Sequence, residues 1–225
     1  MLSKRIKEAE KMVERKKLYG LSEAVDVLKK FPGTKFNESI DLAFKLSVDP
    51  KQSDQMVRGT VPLPHGSGKK IRILAFAEGV QATAAKNAGA EYVGYKDFIT
   101  KIKGGWFDFD IAVATTETMQ EVRKLGKELG PKGLMPNPKT GTVSDDLAKA
   151  VKEVKAGRVE FKMDKSANVH VAIGRASFEE PQILENARAV IEALVKARPA
   201  SAKGTYLTSC TLSRTMSPGV KVDVR

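Results

Sequence analysis

The chain has 225 residues and a formal net charge of +12, from 39 basic and 27 acidic side chains. Hydrophobic residues make up 41% of it, which is enough to build a core and excludes a wholly disordered chain. The positive charge favours a polyanionic partner, although a soluble protein without such a partner can carry the same excess. No basic amphipathic helix or lipidation motif indicates a membrane partner.

Cys210 is the only cysteine, so no intrachain disulfide can form, which is typical of a reducing compartment. The first 17 residues are charged and lack the apolar segment of a signal peptide. No stretch approaches the roughly 18 apolar residues that cross a bilayer. These features predict a cytoplasmic protein.

The two ends of the chain have the pattern of a mixed α+β domain. Helices are predicted over residues 4–17 and 21–31, and alternating apolar and polar residues predict a strand over 40–48. Residues 49–70 are rich in Gly and Pro and are predicted as loop. Beyond Gly157 the predicted elements are strands over 159–163 and 169–173, a helix over 181–197, and strands over 205–213 and 220–224.

The middle of the chain alternates short apolar strands with helices, which is typical of an α/β unit with a parallel sheet. We therefore predict a discontinuous α+β domain, residues 1–67 and 159–225, with an inserted α/β domain of residues 68–158. Both domains carry a net positive charge. Two connections permit hinge motion. The predicted hinge residues are Gly66, Ser67, Gly68, Gly157 and Arg158.

The sequence lacks the usual signatures of catalysis and cofactor binding. The segment from His65 to Lys70 does not have the Walker spacing and precedes a strand, whereas a phosphate loop follows one. No glycine-rich dinucleotide fingerprint follows a strand, and the two histidines have no cysteine partner for zinc. Cys210 has the apolar register of its strand, which indicates a buried side chain. We predict no enzymatic activity, no cofactor and no metal; a dinucleotide-type enzyme and a protein-only scaffold are the alternatives.

The last long strand carries hydroxyl side chains in one register, opposite an apolar, core-facing register. A hydroxyl both donates and accepts hydrogen bonds, so this row suits phosphates, 2′-hydroxyls and base edges. The same row is also typical of an ordinary solvated strand. The hydroxyl register consists of Thr205, Ser209, Thr211, Ser213 and Thr215, and the core register contains Tyr206, Cys210 and Leu212.

Two further segments have features of RNA contacts. Phe36 follows Lys35, and an aromatic ring beside a cation can stack on a nucleotide while the cation meets phosphate; packing of the ring on the preceding helix is the alternative. Residues 130–143 contain three prolines and three glycines, which predict neither helix nor strand. Because proline restricts the free loop, the loop would present Lys132 and Lys139 to RNA with little loss of conformational entropy on binding.

The run from Gly130 to Lys139, GPKGLMPNPK, closely resembles the signature of the universal ribosomal stalk protein family, the first protein of the large subunit. Residues 53–66 resemble that family's first interdomain crossing, and residues 157–161 resemble the return crossing. Lys203-Gly204-Thr205 and residues 215–218 resemble its C-terminal RNA-binding hairpin. The resemblance extends over essentially the whole chain, in order, and the bacterial form is the closest match.

This resemblance implies a Rossmann-like inserted domain and binding to the large-subunit ribosomal RNA stalk, near the site from which deacylated tRNA leaves. It also implies repression of the protein's own operon mRNA, a location in the large ribosomal subunit, and a monomer within the ribosome. A glycine usually follows the Thr-Met pair in this family, whereas this chain has Ser217; a left-handed backbone there would strain a serine. The implied RNA-contacting residues are Phe36, Lys45, Ser209, Thr211, Thr215 and Met216, and Lys35, Lys132, Lys139 and Ser217 complete the predicted RNA-binding set.

Overall fold

The computed structural model describes residues 3–224, apart from the side chains of Ser53 and Lys139. The chain divides into two compact units, one formed by the residues up to Gly68 and from Gly157 onward, the other by Lys69–Ala156. The first unit is α+β and the second is α/β, so the predicted fold class is confirmed. The predicted domain limits, 1–67 with 159–225 and 68–158, stay a prediction.

The elements follow in chain order. The α-helices are α1 (Lys4–Lys11), α2 (Leu21–Lys30), α3 (Gly79–Asn87), α4 (Lys96–Lys103), α5 (Met119–Val122), α6 (Gly126–Leu129), α7 (Leu147–Lys155) and α8 (Glu180–Lys196). The strands are β1 (Ser39–Leu46), β2 (Arg58–Pro62), β3 (Ile73–Phe76), β4 (Tyr92–Gly94), β5 (Ile111–Ala114), β6 (Arg158–Lys162), β7 (Asn168–Arg175), β8 (Leu207–Arg214) and β9 (Val220–Val222). Short 3₁₀ turns cover Ser53–Gln55, Arg123–Leu125 and Pro138–Thr140.

A four-stranded antiparallel sheet in the order β7-β1-β8-β9 dominates the first unit. Along β1 the apolar residues, such as Leu42 and Phe44, are buried and the residues between them are exposed or partly exposed. The buried face packs with α2 and α8, whose apolar side chains join the same core. Because the apolar residues alternate with polar ones, this sheet has one covered face and one open face.

Strand β2 was not predicted, because Gly59 and Pro62 are poor strand residues and only Val61 in this strand is buried. Its antiparallel partner, β6, is about a hundred residues away in sequence, so no local pattern reveals the pairing. The ring of Phe161 on β6 packs on Gly59, where a Cβ atom would lie 2.7 Å from the ring. The two crossing segments are thus paired with each other as a two-stranded ribbon.

The second unit contains a three-stranded parallel sheet in the order β4-β3-β5. Successive residues of β3 alternate between two hydrophobic clusters: Ile73 and Ala75 join α3 and α7, and Leu74 and Phe76 join the cluster with α4 and α5. A strand covered on both faces is therefore apolar throughout, as its sequence predicted.

The first predicted helix is shorter than its sequence pattern suggested. Helix α1 ends at Lys11, and beyond it the Tyr19 hydroxyl accepts a hydrogen bond from Glu14 N (2.9 Å) while Tyr19 pairs with Val222 of β9. Here tertiary contacts override helical periodicity.

The proline-rich loop is more ordered than predicted. Its 3₁₀ turn is closed by Asn137, whose carbonyl accepts hydrogen bonds from the Thr140 and Thr142 hydroxyls at 3.0 and 3.2 Å. Val143 then forms an isolated parallel bridge with Ala114 at the end of β5. Pro136 is buried, so the loop is folded onto its own unit rather than extended.

Buried Asn186 of α8 anchors the segment that leads out of the first unit. Its Oδ1 accepts from His65 N (3.1 Å), and its Nδ2 donates to Gly66 O (3.0 Å) and Ile173 O (2.7 Å). Gly66 and Gly157 both have left-handed backbones, with φ of 67° and 102°, and a Cβ atom on Gly157 would lie 2.3 Å from Gly66 Cα. Only glycine permits this close approach of the two crossings.

We predict that Asn186→Ala lowers the free energy of unfolding by about 2–4 kcal/mol, because it leaves buried backbone groups without hydrogen-bond partners. Urea denaturation measures the change. Glu192→Ala, an exposed position on the same helix, is the control and should change stability by about 0.5 kcal/mol or less. Equal effects of the two substitutions would contradict the anchoring role of the amide.

Candidate nucleic-acid interface

The outward side of the four-stranded sheet forms a continuous polar surface, which we call the open face. Register places its residues in rows across the strands, for example His170, Ala43, Thr211 and Lys221, with Cα partners on β7, β1, β8 and β9. The remaining members that the structure describes are Ser39, Asp41 and Lys45 on β1, Asn168, Ala172 and Arg175 on β7, and Ser209 and Ser213 on β8.

The hydroxyl row of β8 lies on this face as the alternation predicted. Ser209 is exposed, Thr211 and Ser213 are partly exposed, and Cys210 and Leu212 between them are buried. Tyr206 is also buried. Thr205 lies before the strand begins. Short hydroxyl side chains therefore cover the middle of a flat surface, and hydrogen-bonding groups are accessible along it.

Exposed Phe36 and Met216 flank one end of the open face. Their exposed fractions are 54% and 48%, which is unusual for large apolar side chains, and Phe36 is not among the side chains of the hydrophobic core. Between them, the Thr215 hydroxyl accepts from Ser39 N (3.0 Å), and Thr215 N donates to Ser39 O (3.1 Å). The end of β1 and the turn after β8 are thus hydrogen-bonded to each other.

A buried ion pair lies directly beneath these two segments. Glu38 and Arg214 are 1% and 9% exposed, and Arg214 Nη2 donates to Glu38 Oε2. The other carboxylate oxygen accepts from Met216 N (3.1 Å), and Arg214 Nη1 donates to Leu28 O (3.2 Å). The sequence analysis did not identify either residue. Each is a charged residue that falls on the buried side of the strand alternation: Glu38 is two residues before Ile40, and Arg214 is two residues after Leu212.

Ser217 does not have a left-handed backbone, so the condition under which a serine would be strained at this position is not met. Among the described residues only Ala167 combines a side chain with a positive φ. The Ser217 hydroxyl accepts from Arg214 N (2.9 Å), and Ser217 N donates to Arg214 O (3.2 Å). The serine therefore closes the turn with its own side chain, which glycine cannot do.

The predicted lysines differ in their surroundings. Lys35 is exposed next to Phe36. Lys45 is exposed on the open face, and its Nζ donates to Ser166 O in the turn before β7. Asp164 organises that turn by accepting from the backbone of Ser166 and Asn168, and these bonds lower the pKa of the Asp164 carboxyl.

Lys132 and Lys139 belong to the second unit, in its proline-rich loop. Lys132 is exposed and its Nζ lies 3.3 Å from the centroid of the Phe107 ring, a cation–π contact. The Lys139 side chain lies outside the described part of the structure. The predicted RNA-binding residues are therefore divided between the two units.

The second unit also contains the place where nucleotides bind in open α/β sheets, the crevice at the carboxyl ends of its strands. A cavity of about 140 Å³ lies there, lined by Glu78, Gln81, Tyr95, Thr115, Glu117 and Thr118. The two carboxylates repel phosphate, and burial raises the pKa of Tyr95. The lining is thus unsuited to a nucleotide.

Residues 3–224 contain neither a metal-binding cluster nor a reactive cysteine. These residues contain no group of three His, Cys, Asp or Glu side chains arranged to hold a metal ion. Burial raises the pKa of the Cys210 thiol to about 12, so the cysteine is protonated at neutral pH and is not a nucleophile. Across the same residues, no helix combines the length and the apolar character needed to cross a membrane.

We predict that Glu38→Gln and Arg214→Met each lower the free energy of unfolding by about 3–5 kcal/mol, since the first leaves Arg214 buried without its carboxylate and the second leaves Glu38 with only Arg5, 3.9 Å away. The double variant should recover much of this loss. Urea denaturation of the three variants tests the coupling. As a control, Arg15→Met breaks the exposed pair with Glu10 and should cost about 1 kcal/mol or less. A strictly additive double variant would refute the buried pair.

Comparison with known protein families agrees with this geometry. The model of the ribosomal protein L1p/L10e family matches residues 28–218, which include β1, β8, the Thr215–Met216 turn and the whole second unit. The match extends over far more than half of the chain. The chain therefore belongs to the ribosomal protein L1p/L10e family, and as such is a structural protein of the large ribosomal subunit that binds its RNA and is not an enzyme.

Proposed function

We propose that this protein is the bacterial form of the family, and that it binds the large-subunit RNA stalk near the tRNA exit site through the open face and the exposed end formed by Phe36 and Met216. The observation that carries the proposal is the open face itself. It is continuous, flat and hydrogen-bonding, and two large apolar side chains project at one end of it.

The hydroxyl groups supply the specific contacts in this proposal. Ser209 and Thr211 each offer a donor and an acceptor on a short side chain, so they can bond to phosphates, 2′-hydroxyls or base edges with little loss of side-chain entropy. Each bond contributes about 0.5–1.5 kcal/mol net. Lys35 and Lys45 supply the salt-dependent part of the affinity.

Phe36 and Met216 supply flat apolar contacts. Exposed aromatic and thioether side chains stack on bases and ribose rings, and the backbone of Met216 is held by the buried Glu38 of the Glu38–Arg214 pair. Ser217 closes the turn that carries Met216 by its hydrogen bonds to Arg214. A preformed arrangement loses little entropy when RNA binds, which raises affinity.

In this proposal the inserted domain adds a weaker RNA contact through Lys132 and Lys139. The hinge lies at Gly66, Ser67 and Gly68 and at Gly157 and Arg158, where the anchored crossings leave the first unit. Hinge motion there lets the stalk assist release of deacylated tRNA. The protein acts as a monomer within the cytoplasmic ribosome, without a cofactor.

The same open face also binds the protein's own operon mRNA and represses its translation in this proposal. A messenger that mimics the ribosomal stalk presents the same donors and acceptors, so one surface serves both RNAs. Ribosomal RNA and messenger then compete for one site, and repression begins when the ribosomal site is saturated.

We predict that Thr215→Val combined with Met216→Ala weakens binding to a stalk RNA fragment about tenfold or more at fixed salt. The loss of one hydrogen bond and one apolar contact corresponds to about 1.4 kcal/mol or more. Filter binding or fluorescence anisotropy measures the dissociation constant, and an unfolding curve shows whether the fold is intact.

The matched control for this variant is Met56→Ala, which removes an equally exposed methionine, 51% exposed, that lies outside the four-stranded sheet. Its affinity should equal that of the wild type. If the double variant binds as tightly as this control, the assignment of the RNA site is wrong.

For the regulatory part, we predict that an RNA fragment from the leader of the protein's own operon displaces labelled stalk RNA completely, and that the Thr215→Val, Met216→Ala variant weakens both complexes in parallel. A shared site requires this proportionality. Simultaneous binding of both RNAs to one protein molecule would contradict it.

A further inference from the structure

Asp41 lies near the middle of the open face, among small side chains. Its Cα partners are Ala172 on β7 and Ser213 on β8, and the next outward residues along β1 are Ser39 and Ala43. The side chains directly opposite the carboxylate are therefore small, with His170 and Arg175 at the diagonal positions on β7, and a flat group can approach the carboxylate over Ala172 and Ser213.

The Asp41 carboxylate has no hydrogen bond or ion pair with another described residue, although the side chain is partly buried. Burial raises the pKa of Asp41, and the charges of His170 and Arg175 on the neighbouring strand oppose this effect. A carboxylate that is partly removed from water without a donor destabilises the free protein. The site thus has unused acceptor capacity of two oxygen atoms.

An acidic side chain in a basic RNA-binding surface restricts which part of the RNA can lie above it. A phosphate over Asp41 would be repelled, since both groups are negative. An ionised carboxylate accepts hydrogen bonds only, and RNA offers three kinds of donor: the amino groups of bases, the imino N–H of guanine or uracil, and the 2′-hydroxyl.

We propose that Asp41 is a specificity-determining residue of the open face, which accepts a hydrogen bond from a base or ribose donor of the bound RNA and excludes phosphate from the centre of the sheet. This inference rests on the proposed RNA-binding function. The phosphates then lie toward Lys45 and Lys221, at the periphery of the face, and the base or ribose edge lies over Asp41, Ala43 and Ala172.

The test compares wild-type protein with Asp41→Asn for binding to the stalk RNA fragment over a range of salt concentrations. Asparagine keeps the size and removes the charge, and its amide can present a donor where the RNA donor lies. We expect affinity to fall about tenfold, while the slope of log affinity against log salt stays the same, because no phosphate contact changes.

Glu192→Gln is the matched control, since it removes one negative charge from the exposed side of α8, across the core from the open face. It should bind RNA as the wild type does. Tighter binding by Asp41→Asn would show that phosphate lies over the carboxylate, and unchanged binding would show that RNA makes no contact that depends on the charge of the carboxylate. Either result overturns the proposal.

Modified RNA identifies the donor. Replacing guanosine with inosine removes the amino group, and 2′-deoxy substitution removes the ribose hydroxyl. At the contacted nucleotide, one of these changes, or removal of another base amino or imino donor, should weaken wild-type binding and have no further effect on Asp41→Asn. Additive losses at every position would refute a direct contact.

The outcome for Asp41 is separable from that for the open face as a whole. If Thr215→Val with Met216→Ala weakens binding but Asp41→Asn does not, the face binds RNA and the role of Asp41 is wrong. If neither variant affects binding, the proposed RNA site itself is wrong.

Discussion

The buried ion pair between Glu38 and Arg214 holds together the two chain segments that form the end of the open face. Glu38 lies two residues after Phe36 and directly before β1, and Arg214 ends β8 immediately before the Thr215–Met216 turn. Because the carboxylate binds both the guanidinium and Met216 N, the two segments cannot separate without exposing a buried charge. Such a pair contributes little net stability compared with apolar packing, but it determines a single arrangement of the groups above it.

The turn after β8 is closed by a serine next to this pair. The Arg214 side chain is directed inward, where Nη1 donates to Leu28 O of α2, and the Arg214 backbone N–H donates to the Ser217 hydroxyl. The serine hydroxyl closes the turn in a backbone conformation that needs no glycine, and Met216 remains exposed.

The inserted unit is attached through a close approach of two backbone segments of the first unit. Gly157 lies against Gly66, β2 pairs with β6, and Asn186 bonds to the departing backbone. The first unit thus holds Gly66, Gly157 and Arg158, which are three of the proposed hinge residues. The inserted unit has the parallel sheet of many nucleotide-binding proteins. Acidic side chains lie at the carboxyl ends of its strands, where a phosphate would bind, so the fold alone does not indicate nucleotide binding.

The sequence by itself determined the fold class and the face of β8 that carries hydroxyls, because alternation with period two depends only on which residues avoid water. It also identified Phe36 and Met216, although not their exposure. Only the tertiary structure decided the pairing of β2 with β6, the Glu38–Arg214 pair and the isolation of Asp41. Each of these depends on partners more than a hundred residues apart or on burial by other strands, and a local pattern carries no information about either.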